Sequence, residues 1–204
     1  MTPSPVAGPA AHPLPERTSV EARDPAASVV ALIGNPRRNS RTRELTEHLA
    51  SRLVEDLGLP GTALQVVDLA EFGGAVLDGG PAVDEALATV TSASVLVVAT
   101  PVYKASYTGL LKSFLDRLGG GALRGVAAVP MTVAGAAIHR LVADVHLRPL
   151  LVELGASTPT RAFAVEEAVL ADPAATVEEW VRAEAPTLTR LLRPVESTAL
   201  AAAR

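Results

Sequence analysis

The chain has 204 residues, of which 49% are apolar and only 3% aromatic, enough for one core of Ala, Val and Leu but not for two sizeable domains. Its 18 basic and 22 acidic residues leave a formal charge of −4, which excludes a general attraction to nucleic acid or anionic lipid. No apolar run approaches the roughly 18 residues of a membrane helix, and without cysteine there is no disulfide, thiolate nucleophile or Cys-ligated metal.

Residues 1–27 are dense in Pro and Ala, carry Glu16, Arg17, Glu21, Arg23 and Asp24, and show no periodicity, so they read as a disordered tail rather than a secretory signal. The protein is therefore expected in the cytoplasm. The folded domain is expected over 28–194, with a second loose end from 195. Ser28–Ile33 is a short continuous apolar run closed by Gly34, as in a strand covered on both faces. Leu45, Leu49, Leu53 and Leu57 give the next segment one apolar helical face. Thr62–Leu69 reads as a strand, Pro81–Val90 as a helix and Ala93–Ala99 as a third strand. Leu111, Phe114, Leu115 and Leu118 mark a helix stopped by Gly119, Gly120 and Gly121. Val126–Val133 is a fourth strand, Leu141–Leu154 a helix, Pro159–Val165 a fifth strand, and the stretch from Val177 to Leu191 a last helix bent at Pro186. Pro130, inside an internal strand, predicts a bulge or an irregular strand end.

Five strands alternating with helices predict a three-layer α/β sandwich on a parallel sheet of order 2-1-3-4-5. Its ligand belongs in the crevice beyond strands 1 and 3, where the strand order reverses. The loop after strand 1 runs Gly34-Asn35-Pro36-Arg37-Arg38-Asn39-Ser40-Arg41-Thr42-Arg43 into a helix N-terminus. Four arginines at the positive end of a helix dipole repel one another, which an anion among them would relieve. Asn35, Arg37, Ser40 and Thr42 suit a phosphate monoester. The plainer reading is that Ser40 or Thr42 caps the helix and the arginines face water. The loop after strand 3, Thr100-Pro101-Val102-Tyr103-Lys104-Ala105-Ser106-Tyr107-Thr108-Gly109, holds both tyrosines of the chain and one of its two lysines, Lys112 following closely. A flat aromatic ligand could lie against Pro101, Val102, Tyr103 and Lys104 and take amide donors along one edge. The small loop at Val133-Ala134-Gly135 could close on such a ligand. His12, His48, His139 and His146 are too scattered for a zinc signature, so no metal site is expected. No nucleophile–base pair is visible, so no catalytic side chain is expected and the reactive atoms belong to a cofactor.

The segments GNPRRNSRT at 34–42, ATPVYKASYTGLLKSFLD at 99–116 and VPMTVAGAAIHRLVADVHLRPLLVELGA at 129–156 resemble the NAD(P)H-dependent FMN reductase family, in particular its branch serving sulfonate-using two-component monooxygenases. The resemblance implies a flavodoxin-like fold and hydride transfer from NADPH or NADH to FMN, with reduced flavin passed to a flavin-dependent monooxygenase. It implies the FMN phosphate on Asn35, Arg37, Ser40 and Thr42, the ring on Pro101 to Lys104, Ser106 close by and the loop at Gly135 completing the pocket. It also implies a homodimer or homotetramer with Tyr107 at the contact, a position where one branch of the family carries a π-bulge. Many relatives have Thr-Gly-Gly where this chain has Val133-Ala134-Gly135, so Ala134 adds a methyl. Two other functions share these features: a reductase of quinones, azo dyes or metal ions with tightly held FMN, and a non-enzymatic flavodoxin-type electron carrier.

Overall fold

A computed structural model describes residues 27–192, so the expected tails lie outside it apart from Ala27. Five parallel strands, β1 (Val29–Ile33), β2 (Leu64–Asp68), β3 (Val95–Pro101), β4 (Ala127–Ala134) and β5 (Phe163–Glu166), form a sheet of order β2-β1-β3-β4-β5. The predicted flavodoxin-like architecture is the one observed.

Alternation along the strands splits the core into two layers. Val29, Ala31 and Ile33 of β1, with Val95 and Val97 of β3, meet Leu45, Leu49 and Leu53 of α1 (Arg41–Asp56) and Val177, Trp180 and Leu188 of α6 (Ala174–Leu192). On the other face, Val30, Leu32, Leu96 and Val98 meet α3 (Pro81–Ser92) and α4 (Gly109–Leu115), with Leu147 and Leu151 flanking the start of α5 (Arg148–Glu153). A four-residue helix, α2 (Ala75–Asp78), adds Val76 to this layer. Each fully buried Val or Leu contributes about 1.5–3 kcal/mol, which is how so few rings suffice. The chain's one described ring pair, Phe163 and Trp180, packs edge to face at 5.8 Å.

β4 is unbroken at Pro130, which pairs with Val98 of β3. The expected bulge is absent for a geometric reason. Ala128 N donates to Ser157 O at 2.7 Å, on the β5 side, and alternation turns the Pro130 nitrogen the same way. There β4 meets β5 only from Met131 and Phe163 onward, so no ladder bond is lost at Pro130.

Three other elements differ from expectation. The fifth strand is shorter than Pro159–Val165 because Arg148 draws the carbonyls of Thr158 (2.9 Å) and Thr160 (3.1 Å) away from the ladder. The helix expected over Leu141–Leu154 opens as a π turn, Ala143–Leu147, before α5. Pro149 lacks an N–H and crowds the carbonyl four residues back, so the widened turn accommodates it. By contrast α4, which follows Tyr107, is an ordinary α-helix without a π-bulge. The last helix runs through Pro186 from Ala174 to Leu192. No helix among the described residues is long and apolar enough to cross a membrane.

Candidate functional site

β1 ends at Ile33 and the chain must turn at once, because α1 begins at Arg41. Gly34 makes the turn: its N–H donates to Ala99 O at 2.7 Å, and its carbonyl accepts from the Thr108 hydroxyl. Thr108 also caps α4 by accepting from Leu111 N at 3.2 Å, while Thr108 N donates to Thr100 Oγ1 at 3.1 Å. One threonine thus ties the loop after β1 to the start of the helix after β3. Sequence reading passed over this joint.

Asn35 is buried and organises the first loop. Its Oδ1 accepts from Arg37 N at 3.0 Å and its Nδ2 donates to Thr42 Oγ1 at 3.1 Å. Ser40 caps α1 by accepting from Arg43 N at 3.2 Å. The cap expected by the plainer reading is therefore present, yet the Ser40 hydroxyl hydrogen stays available to an acceptor. Arg41 and Thr42, the first residues of α1, have no intrahelical acceptor for their N–H groups.

The four arginines are not equivalent, and mutual repulsion among them is not what the structure shows. Arg43 pairs with Glu47 at 2.6 Å, Asp68 at 3.2 Å and Glu71 at 3.1 Å, and the Glu47 hydrogen bond leads the causes that raise its pKa. Asp68 is itself buried at the end of β2, so Arg43 braces α1 against that strand. Arg38 donates to the carbonyls of Ala70 (3.3 Å) and Glu71 (3.2 Å). Arg41 faces Glu167 at 3.5 Å. Only the Arg37 guanidinium has no acceptor among the described residues.

The loop after β3 is a tight hairpin. Tyr103 N donates to Ser106 O at 2.9 Å and Ser106 N to Tyr103 O at 3.1 Å, with Lys104 (φ 50°) and Ala105 (φ 59°) at its centre. Both positive φ values match the type I′ turn usually made by Asn-Gly, at a cost of about 1–2 kcal/mol for each residue with a Cβ. The row of amide donors expected from Pro101 to Lys104 is mostly consumed: Pro101 has none, Val102 N donates to Val133 O at 2.8 Å, and Tyr103 N closes the turn. The amides of Lys104 and Ala105 remain outside these bonds. Lys112 lies beyond the hairpin on α4, held by Asp116 at 2.5 Å, which raises its pKa.

These pieces enclose a cavity of about 320 Å³ lined by Asn35, Arg37, Ser40, Thr42, Pro101 and Tyr103 together with Arg38, Asn39, Arg41, Val133, Glu167 and Leu170. Six predicted residues therefore meet in one place. Val102, Lys104 and Ser106 stand on the adjoining hairpin outside the lining, and Gly135 is exposed just past β4. The Ala134 methyl is buried in the sheet and does not enter the cavity. Glu167 and Leu170, on the 3₁₀ turn Glu167–Ala171 after β5, were missed because only the folded sheet brings that turn to the first loop. A larger cavity of about 500 Å³ sits under the outer edge of β5 against Trp180, away from the end of β1 where the strand order reverses. Its Arg161 already pairs with Glu184 at 2.6 Å.

The sequence model of a family described as NADPH-dependent FMN reductase matches residues 27–169. The "NADH-dependent FMN reductase SfnE" of Pseudomonas putida is 38% identical over 149 residues, covering 71% of this chain and 80% of that protein. An "FMN reductase (NADPH)" of Escherichia coli strain K12 is 35% identical over 134 residues, covering 63% of this chain and 67% of that one. Among solved structures, the apo form of the NADH:FMN oxidoreductase EMOB superposes with a TM-score of 0.68 at 32% identity, over 81% of this chain and 88% of the other.

Proposed function

Because the chain belongs to the NADPH-dependent FMN reductase family, we propose that it transfers a hydride from NADPH or NADH to FMN, and that the cavity beyond β1 and β3 receives the flavin phosphate. The observation that carries the phosphate assignment is the division of labour among the arginines. Arg38 and Arg43 are spent on the protein, whereas Arg37 points a charge with no partner among the described residues into a cavity that Ser40 and the first amides of α1 also face. This donor set fits a phosphate dianion. Asn35 and Thr42 act one step back by fixing the loop that carries Arg37.

Bound FMN supplies the hydride acceptor, and the protein's part is positioning. We place the ring against Pro101, Val102, Tyr103 and Lys104, with Ser106 and Gly135 at its margin. The two unspent amides of the strained turn are the donors this hairpin offers. Purified protein with micromolar FMN is expected to oxidise NADPH or NADH with oxygen as the final sink. Folded protein that shows no flavin-dependent oxidation of either donor would sink the proposal. Flavin saturation well above the enzyme concentration marks FMN as a diffusing substrate, as delivery to a partner monooxygenase requires.

We further propose that the protein works in the cytoplasm as a homo-oligomer. Ile138, Leu141, Val145 and Val152 form a row on the segment leading into and along α5, each from 53% to 82% exposed. Such a row favours burial against another copy. It adjoins the hairpin, because Ser106 Oγ lies 3.4 Å from His146 Nδ1. Tyr107 itself packs half-buried against the layer containing α4. Light scattering is expected to show at least a dimer, and Leu141→Glu to shift it toward monomer; a wild type monomeric at every working concentration contradicts this.

A further inference from the structure

We infer that Glu167 sets how tightly the cavity holds its anion, an inference that rests on reading the cavity as the FMN phosphate site. Glu167 is the first residue after β5, at the opposite side of the sheet from β2, and its chain path returns it to the first loop. It lines the cavity with Arg37 and Ser40, and its Oε2 stands 3.5 Å from Arg41 Nη2.

Burial separates this pair from the Arg43 pair of the same loop. Arg43 meets the buried carboxylate of Asp68 and joins two elements of the core. Arg41 and Glu167 are both more than half exposed, with side chains 64% and 57% accessible. A pair so placed adds little to stability. Its effect falls instead on the ligand. Without an anion, Glu167 satisfies Arg41; a phosphate must compete with that carboxylate for Arg41 and then remain beside a fixed negative charge. No other carboxylate lines the cavity among the described residues. A loop carrying Arg37, Arg38 and Arg41 would otherwise favour slow release, and a flavin that is reduced and handed on has to leave. Glu167 opposes retention without touching the reacting ring.

The test compares FMN and riboflavin binding, by flavin fluorescence titration and stopped-flow dissociation, for the full chain, Glu167→Gln and Arg37→Ala. At low ionic strength Glu167→Gln is expected to bind FMN roughly three- to tenfold more tightly, as expected for one partly exposed charge. Dissociation should slow to match, riboflavin should be unchanged, and the gain should shrink as salt screens the site. Unchanged or weaker FMN binding, or an equal gain for riboflavin, overturns the inference while Arg37→Ala still separates the two flavins. If neither variant changes the FMN-to-riboflavin ratio, the phosphate reading fails and the inference with it.

Discussion

Arg37→Ala is expected to weaken FMN roughly 10- to 100-fold and riboflavin little, because a charge-assisted hydrogen bond is worth about 1.5–3 kcal/mol. Only FMN carries the phosphate. The prediction is specific to Arg37 among the loop arginines. Arg43→Ala would strip the buried Asp68 of its cation and damage the joint between α1 and β2, so loss of flavin there would report on folding. Arg37 is exposed and bonds through its side chain to nothing among the described residues, so Arg37→Ala should melt within about 0.5 kcal/mol of wild type. Equal losses for FMN and riboflavin in paired titrations would place the phosphate elsewhere.

Much of this site was readable before folding. The reversal of strand order follows from counting alternating apolar runs, and it directs attention to the loops after β1 and β3 without any side-chain detail. β1 and β3 were legible because they are covered on both faces and read as short apolar runs, Val-Val-Ala-Leu-Ile and Val-Leu-Val-Val-Ala. What escaped were the long-range polar partners. Spacing shows four arginines near a helix start, but the acceptors that absorb two of them, Asp68 and the carbonyls of Ala70 and Glu71, sit about 30 residues on, at and just after the end of β2. Repulsion was a fair inference from the loop alone and the wrong one for the fold. Glu167 escaped for the same reason, since only the parallel sheet sets β5 and β1 with their ends on one side. Pro130 failed differently: whether a proline breaks a strand depends on which side its nitrogen faces, which alternation decides only once the neighbours are known.

Gly34→Ala is expected to be among the most damaging single-methyl additions in the chain. A Cβ at Gly34 would lie 2.6 Å from Leu111 Cβ, closer than packed carbons can approach, and Leu111 is fully buried at the start of α4. Neither side can yield cheaply. Gly34 is held by its N–H on Ala99 O and its carbonyl under the Thr108 hydroxyl, and Thr108 also caps the helix that carries Leu111. Shortening the leucine would not help, because the clash is with its Cβ. Overpacking of this kind costs about 1–3 kcal/mol and sometimes more, so a loss near the upper end should lower the melting temperature by roughly 5–10 °C for a domain of this size. Relief by moving α4 would drag the Tyr103–Ser106 hairpin with it, so flavin binding should fall even where the variant stays folded. Gly109→Ala is the control, because apart from its chain neighbours and the helix's own backbone no heavy atom lies within 4 Å of a Cβ there, and the residue opens a helix. It should be neutral or slightly stabilising. A Gly34→Ala protein melting within about 2 °C of wild type, with FMN affinity intact, would show that the joint between the two loops is looser than the contacts of Thr108 require.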